Sequence, residues 1–133
     1  GSSELRGVVR ALDAELQAEH GLPLTSYEVL LSLAEAPDSR LRMAELATSL
    51  LLSQSGVTRL VDRLEREGLV RRERCHFDGR GFFAVLTPAG RARFEEARPT
   101  HLAGVRRRFL GRLSEAEQRS LRTAWERLDV ELG

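Results

Sequence analysis

Apolar residues recur every three to four positions along most of this chain, a spacing that predicts helices rather than strands. Leu5, Val8, Leu12 and Leu16, with Val9 beside them, form such a stripe over 3–20, and Gly21 with Leu22-Pro23-Leu24 ends it. A second helix is predicted from Thr25, where Thr25-Ser26-Tyr27-Glu28 spells a capping box. It buries Val29, Leu30, Leu33 and Ala34 until Pro37-Asp38-Ser39 breaks the pattern. A short third helix over 43–50 turns Leu46, Ala47 and Leu50 inward. After a sharp turn at Leu51-Leu52 a fourth spans 54–67, with Ser53 as its N-cap. Val57, Leu60, Val61 and Leu64 give this fourth helix a clean inner stripe. Its opposite face carries Ser55, Thr58, Arg59, Asp62 and Arg66, with Gln54 and Arg63 at the margins.

Gly68 stops that helix, with Leu69 placed to close it, and the pattern changes. A strand over 70–75, a turn at Phe77-Asp78-Gly79-Arg80-Gly81 and a return strand over 82–86 read as a hairpin. Leu41-Arg42 suits a further short strand. Thr87-Pro88 opens a fifth helix over 88–112, with Phe94, Ala97, Val105 and Phe109 inward and Pro99 expected to bend or interrupt it. Ser114-Glu115-Ala116-Glu117 is a second capping box, followed by a seam of Leu121, Trp125, Leu128 and Leu132. The expected fold is mainly α: a winged helix-turn-helix with a two-stranded β-hairpin wing, flanked by N- and C-terminal dimerisation helices. One domain covers 1–133, with 24–90 as the helix-turn-helix region and 3–20 and 91–132 as the helical dimerisation region.

Bulk charge adds little, since 21 basic and 20 acidic residues leave a net charge of +1. Every basic residue among Lys and Arg is Arg, which suits bidentate phosphate and base contacts, though a GC-rich genome would give the same bias. Cys75 is the single cysteine, and His20, His76 and His101 are isolated, so neither a disulfide framework nor a metal site is expected. No cofactor motif occurs. No apolar run approaches the roughly 18 residues of a membrane span and no secretory signal is visible, so no membrane partner and a cytoplasmic location are expected. A catalytic reading has little support: Ser53 and Ser55 lack an accompanying base, and no phosphate-cradling glycine loop exists.

The fourth helix carries the functional chemistry. In a helix-turn-helix, the second helix enters the major groove of double-stranded DNA with its N-terminal residues at the base edges. Ser53, Gln54, Ser55 and Thr58 occupy that place. Gln pairs bidentately with adenine, and Ser and Thr contact bases or phosphates. Gly56 lets the helix start approach a phosphate. Arg59, Arg63 and Arg66 are spaced for backbone phosphates, and Arg80, between glycines, suits a minor groove. Against this stand Asp62, Glu65 and Glu67, which dilute the positive charge, and the ordinary occurrence of solvated polar helix faces. The same surface also suits a winged-helix protein–protein interaction module without DNA binding.

Glu45-Leu46-Ala47, the run from Ser53 through Leu64, Gly68-Leu69-Val70, Asp78-Gly79-Arg80 and Leu86-Thr87-Pro88-Ala89-Gly90 come in an order and spacing that resemble the MarR (multiple antibiotic resistance regulator) family. The match is specific over 41–90, and the flanking helices extend it to essentially the whole chain. The resemblance implies a homodimeric winged-helix transcription factor, often a repressor released by a small ligand or by oxidation. It implies interlocked terminal helices and two recognition helices on half-sites of a pseudo-palindromic operator. It places Ser53, Gln54, Ser55, Thr58 and Arg59 on base-contact positions, Arg80 on the wing arginine and Asp78 on the aspartate that braces it. It also implies a crevice taking small aromatic acids or phenols, for which His20 and Tyr27 are candidate linings, although Tyr27 equally suits a core edge.

The chain departs from that pattern in the wing. Gly79 stands where a second basic residue is common, and Phe82 and Val85 occupy strand positions often polar in relatives. Peroxide-sensing members usually carry their cysteine in the first helix, so Cys75 reads as a structural thiol before a redox switch. The run Arg106-Arg107-Arg108 with Arg112 spreads around its helix, so it is expected to pair with acidic groups such as Glu4, Asp13, Glu126 or Asp129 rather than to make a second DNA contact.

Overall fold

The computed structural model describes residues 2–75 and 81–132, the last four of these by backbone alone. Among the described residues the elements are α1 (Ser2–His20), α2 (Leu24–Glu35), β1 (Arg40–Arg42), α3 (Met43–Leu50), α4 (Gln54–Arg66), β2 (Val70–Arg74), β3 (Phe82–Leu86), α5 (Pro88–Leu110) and α6 (Glu115–Leu132). The two strands of the expected hairpin pair antiparallel, its turn from Phe77 to Arg80 lying outside the described residues, and β1 joins them to make a three-stranded antiparallel sheet in the order β1-β3-β2. Registers of Leu41 with Ala84 and Arg72 with Ala84 fix which side chains share a face.

The core lies where α1, α2, α4 and α5 meet one face of this sheet. Leu16, Val29, Leu30, Leu33, Leu46, Val57, Val61 and Leu64 are buried there with Val70, Ala84, Leu86, Phe94 and Ala97. The predicted inner stripes of α2 and α4 therefore hold position by position, apart from partly buried Ala34 and Leu60. Ser53 caps α4, its Oγ accepting from the Gly56 amide at 3.1 Å. Gly68, at φ +78°, and the Leu69 amide bonding the Leu64 carbonyl at 3.0 Å end that helix. The Ser114 box forms reciprocally with Glu117, and those hydrogen bonds hold the Glu117 carboxyl below its usual pKa.

Two local expectations fail. The helix predicted from a Thr25 capping box starts instead at Leu24 after Pro23, with no side-chain cap of its own. Thr25 lies inside the first turn, and the orphan Leu24 amide donates to Asp13 Oδ1 of α1 at 2.8 Å, so the cap is tertiary. Pro99 does not interrupt α5, which runs unbroken from Pro88 to Leu110. Pro99 faces solvent, so the carbonyl that its missing N–H leaves free is on the side of the helix that water can reach.

The terminal helices are only partly covered by their own chain. Leu12 and Leu16 of α1 are buried, but Leu5 is 63% and Val9 46% exposed, as are Phe109 at 55% and Leu128 at 49%. The Arg run pairs with α1 as expected, partly with the expected Glu4 and partly with Glu15, which the sequence did not single out. Arg107 and Arg108 both bond Glu15, Arg108 at 2.8 Å, while Arg112 meets Glu4 at 3.5 Å. Arg106 instead lies 4.8 Å from the Trp125 ring centroid.

Candidate nucleic-acid interface

The first turn of α4 projects from the body of the protein, because its cap and inner stripe commit everything else to the core. Ser53, Gln54, Ser55, Thr58, Arg59 and Arg63 are all exposed. Their hydroxyls are internally organised. Ser53 Oγ lies 3.2 Å from Ser55 Oγ, and Thr58 Oγ1 donates to the Gln54 carbonyl at 2.9 Å. Each hydroxyl oxygen keeps acceptor capacity directed outward. The Gln54 amide and the Arg59 guanidinium have no intramolecular partner among the described residues, while Arg63 donates to Glu67 at 3.3 Å. Gly56 has a local role within the cap itself. It is part-buried, and a Cβ there would lie 3.2 Å from Ser53 Oγ, so the glycine makes room for the cap.

Asp62 and Glu65 share one cationic partner. Arg72, on the inner face of β2, reaches Asp62 at 2.5 Å and Glu65 at 2.8 Å, and bonds the Thr58 carbonyl at 3.3 Å. Its own amide also donates to Glu65, at 3.1 Å. One arginine, only 20% exposed, thus clamps the wing to the helix that would read DNA and offsets one of the two negative charges that Asp62 and Glu65 place on it. Sequence reasoning missed it. The available signal was its place two residues after buried Val70, where an arginine on the inward-facing register needs a fixed partner. Arg72→Ala is expected to cost about 1–2 kcal/mol of stability and to weaken duplex binding, because both carboxylates return to the reading surface. A urea melt and a duplex titration check this, with Arg72→Lys restoring only part, since a point charge cannot span both acids and the carbonyl. Unchanged duplex affinity in Arg72→Ala would remove the clamp from the account.

Asp78, Arg80, Gly79 and His76 lie outside the described residues. Of the wing departures that are described, Phe82 stays 41% exposed, with the Arg74 guanidinium 6.0 Å from its ring. Val85 is buried. The outer face of the sheet carries Arg40 4.7 Å above Phe83, and Arg40 and Arg71 share Glu73 at 2.9 Å each. Cys75 is 1% exposed, and its residue lines a cleft of about 250 Å³ with Gln54, Thr58, Met43 and Phe82.

His20 and Tyr27 are each engaged. His20 Nε2 pairs with Thr100 Oγ1 at 2.8 Å, and its carbonyl accepts from Arg93 at 2.7 Å. Tyr27 is 2% exposed, with ring centroids of His101 and Phe94 at 4.6 and 5.4 Å. Burial pushes the Tyr27 pKa up, with Arg98 opposing, and pushes the His101 pKa down, with Glu15 opposing. His101, which the sequence left isolated, is thus the partner of Tyr27, and its buried Nδ1 has no hydrogen bond among the described residues. No group of three or more metal-ligating side chains occurs among the described residues, and no described helix is long and apolar enough to cross a membrane.

A recognition helix with an open polar first turn, clamped to a hairpin wing, defines a winged helix-turn-helix protein. Comparison with known proteins narrows the class. The MarR family pattern matches residues 20–81. AbsC, a MarR family transcriptional regulator from Streptomyces coelicolor, is 37% identical, with 96% of this chain and 85% of that one covered at a TM-score of 0.79. Sco3205, a MarR family transcriptional regulator from the same organism solved in complex with DNA, is 38% identical, with 94% and 78% covered at a TM-score of 0.80. The HTH-type transcriptional repressor YetL of Bacillus subtilis is 34% identical over 66% of this chain. The chain spans 53–65% of the length of the curated relatives it matches. This chain belongs to the MarR family of transcriptional regulators.

Proposed function

We propose that the protein is a sequence-specific DNA-binding regulator that acts as a homodimer on a pseudo-palindromic operator, most simply as a repressor. The observation that carries this is the unpartnered Gln54 amide and Arg59 guanidinium on the exposed first turn of α4. A side chain without an internal partner, at the end of a helix shaped for the major groove, is free to pair with a base edge. Ser53, Ser55 and Thr58 stand beside it with acceptor capacity, and Arg63 and Arg66 lie farther along for phosphates. Sco3205 was solved in complex with DNA, which supports the same use here.

The homodimer follows from the exposed apolar residues of α1, α5 and α6, which a second copy would cover. Two recognition helices then meet half-sites about one helical turn apart. Asp78 and Arg80 complete each half as brace and wing contact. A small aromatic effector would act at the α1–α2–α5 junction, near His20 and Tyr27, where the unpartnered His101 Nδ1 supplies a polar contact. The test is duplex selection from a random pool, which should return two-fold related sequences. Arg80→Ala should then weaken binding by about 1–3 kcal/mol on every selected sequence alike. Failure to retain any duplex at low salt, with the dimer intact, would favour a protein-interaction module.

A further inference from the structure

Leu51 is out of place by two physical criteria. It is 91% exposed, and it sits in the left-handed region at φ 56°, which favours glycine. Nothing in the core asks for this side chain, because the buried residues around the turn are Leu46, Ala47 and Val57. Its backbone is pinned. The Leu51 amide bonds the Thr48 carbonyl at 3.2 Å and the Leu52 amide bonds the Ala47 carbonyl at 3.0 Å, so the side chain is directed outward. Leu52, 39% exposed, follows along the start of α4, its Cβ 3.9 Å from where a Cβ on Gly56 would lie. The two leucines form an apolar lip immediately before Ser53 and Gln54, continuous with the polar first turn.

The major groove of DNA offers one apolar group, the 5-methyl of thymine. We propose that Leu51 and Leu52 pack on thymine methyl groups beside the base pair met by Gln54, and so set a preference for A·T pairs at the edge of each half-site. This rests on the DNA-reading role of α4. Where the lip meets base edges, the thymine methyl is the surface that suits it, since the other major-groove features are hydrogen-bonding groups that leucine would desolvate without replacing.

Deoxyuridine substitution removes the methyl and leaves base pairing intact. Each thymine of a selected duplex is replaced singly, and affinity is measured for the wild-type protein, Leu51→Gly and Leu52→Ala. The expected result is one or two positions per half-site where deoxyuridine weakens wild-type binding about threefold to tenfold, a penalty lost in at least one variant. Leu51→Gly is expected to keep or raise the melting temperature, since glycine relieves the left-handed backbone, so a lost penalty cannot be ascribed to unfolding. Tight duplex binding with deoxyuridine tolerated at every position overturns the proposal, and so does a penalty that persists unchanged in both variants. No duplex retained by the wild-type protein at low salt removes the DNA reading itself, an outcome distinct from the other two.

Discussion

Gly90→Ala is expected to lower stability by about 3 kcal/mol or more, a large part of a margin of roughly 5–15 kcal/mol. A Cβ at Gly90 would lie 2.0 Å from the Leu69 carbonyl oxygen, 2.8 Å from Leu86 Cδ1 and 3.0 Å from the Leu69 carbonyl carbon. Two of these atoms are backbone, so no side-chain rotation relieves the clash. Alanine improves helix propensity by about 1 kcal/mol, too little to offset it. The position matters because it joins the two halves of the protein. Thr87 donates its amide to the Leu69 carbonyl at 3.2 Å and its hydroxyl to the Gly68 carbonyl at 2.7 Å, while it caps Gly90 at 3.0 Å. The exit of α4 therefore rests directly on the first turn of α5. A displaced α5 would tilt the recognition helix as well as destabilise the fold. Chemical denaturation checks the first effect, and a midpoint equal to that of the wild type would contradict the close approach.

Gln54→Ala is expected to change what the protein reads while leaving the protein itself intact. Gln54 is exposed and its side-chain amide makes no hydrogen bond among the described residues, so stability should move by no more than about 0.5 kcal/mol. Discrimination at one A·T pair per half-site should fall by about 1–3 kcal/mol, the value of a bidentate amide–adenine pair. Binding to unrelated duplex at the same salt should hold, because Arg59, Arg63 and Arg66 remain to meet phosphates. Competition among duplexes that differ at single base pairs separates these effects. An unaltered base preference in Gln54→Ala would mean that α4 docks in some other orientation.

The helices were legible because their inner stripes are long and regular. Val57, Val61 and Leu64 alone fix which face of α4 is buried, and hence that Gln54 and Arg59 face out. The local caps at Ser53, Thr87 and Ser114 were legible for the same reason, since each is a contact between near neighbours in sequence. What escaped were contacts across long separations. The cap on α2 comes from Asp13, eleven residues back, where the pattern offered Thr25. The clamp from Arg72 to Asp62 and Glu65 depends on a strand passing over a helix, and without it those acids looked like a penalty on DNA binding. The sequence offers Gly56 for phosphate approach and Gly90 only as part of a motif, yet what each accommodates within the fold, a cap oxygen and a neighbouring carbonyl, is set by packing. Tyr27 was legible as aromatic and near a helix start, but its burial against His101 joins residues 74 positions apart.

The reading of α4 as a DNA-recognition helix is tested most directly by equilibrium binding of the intact protein, as the proposed homodimer, to a selected duplex across a salt series. With Arg59, Arg63, Arg66 and Arg80 from two protomers, some six to eight phosphate contacts give a slope of log K against log salt near −5 to −7, roughly −0.9 per contact. Affinity should therefore fall by about 10³–10⁴ between 50 and 200 mM salt. A dimer that retains no duplex at low salt, or whose weak binding is indifferent to salt, would contradict it.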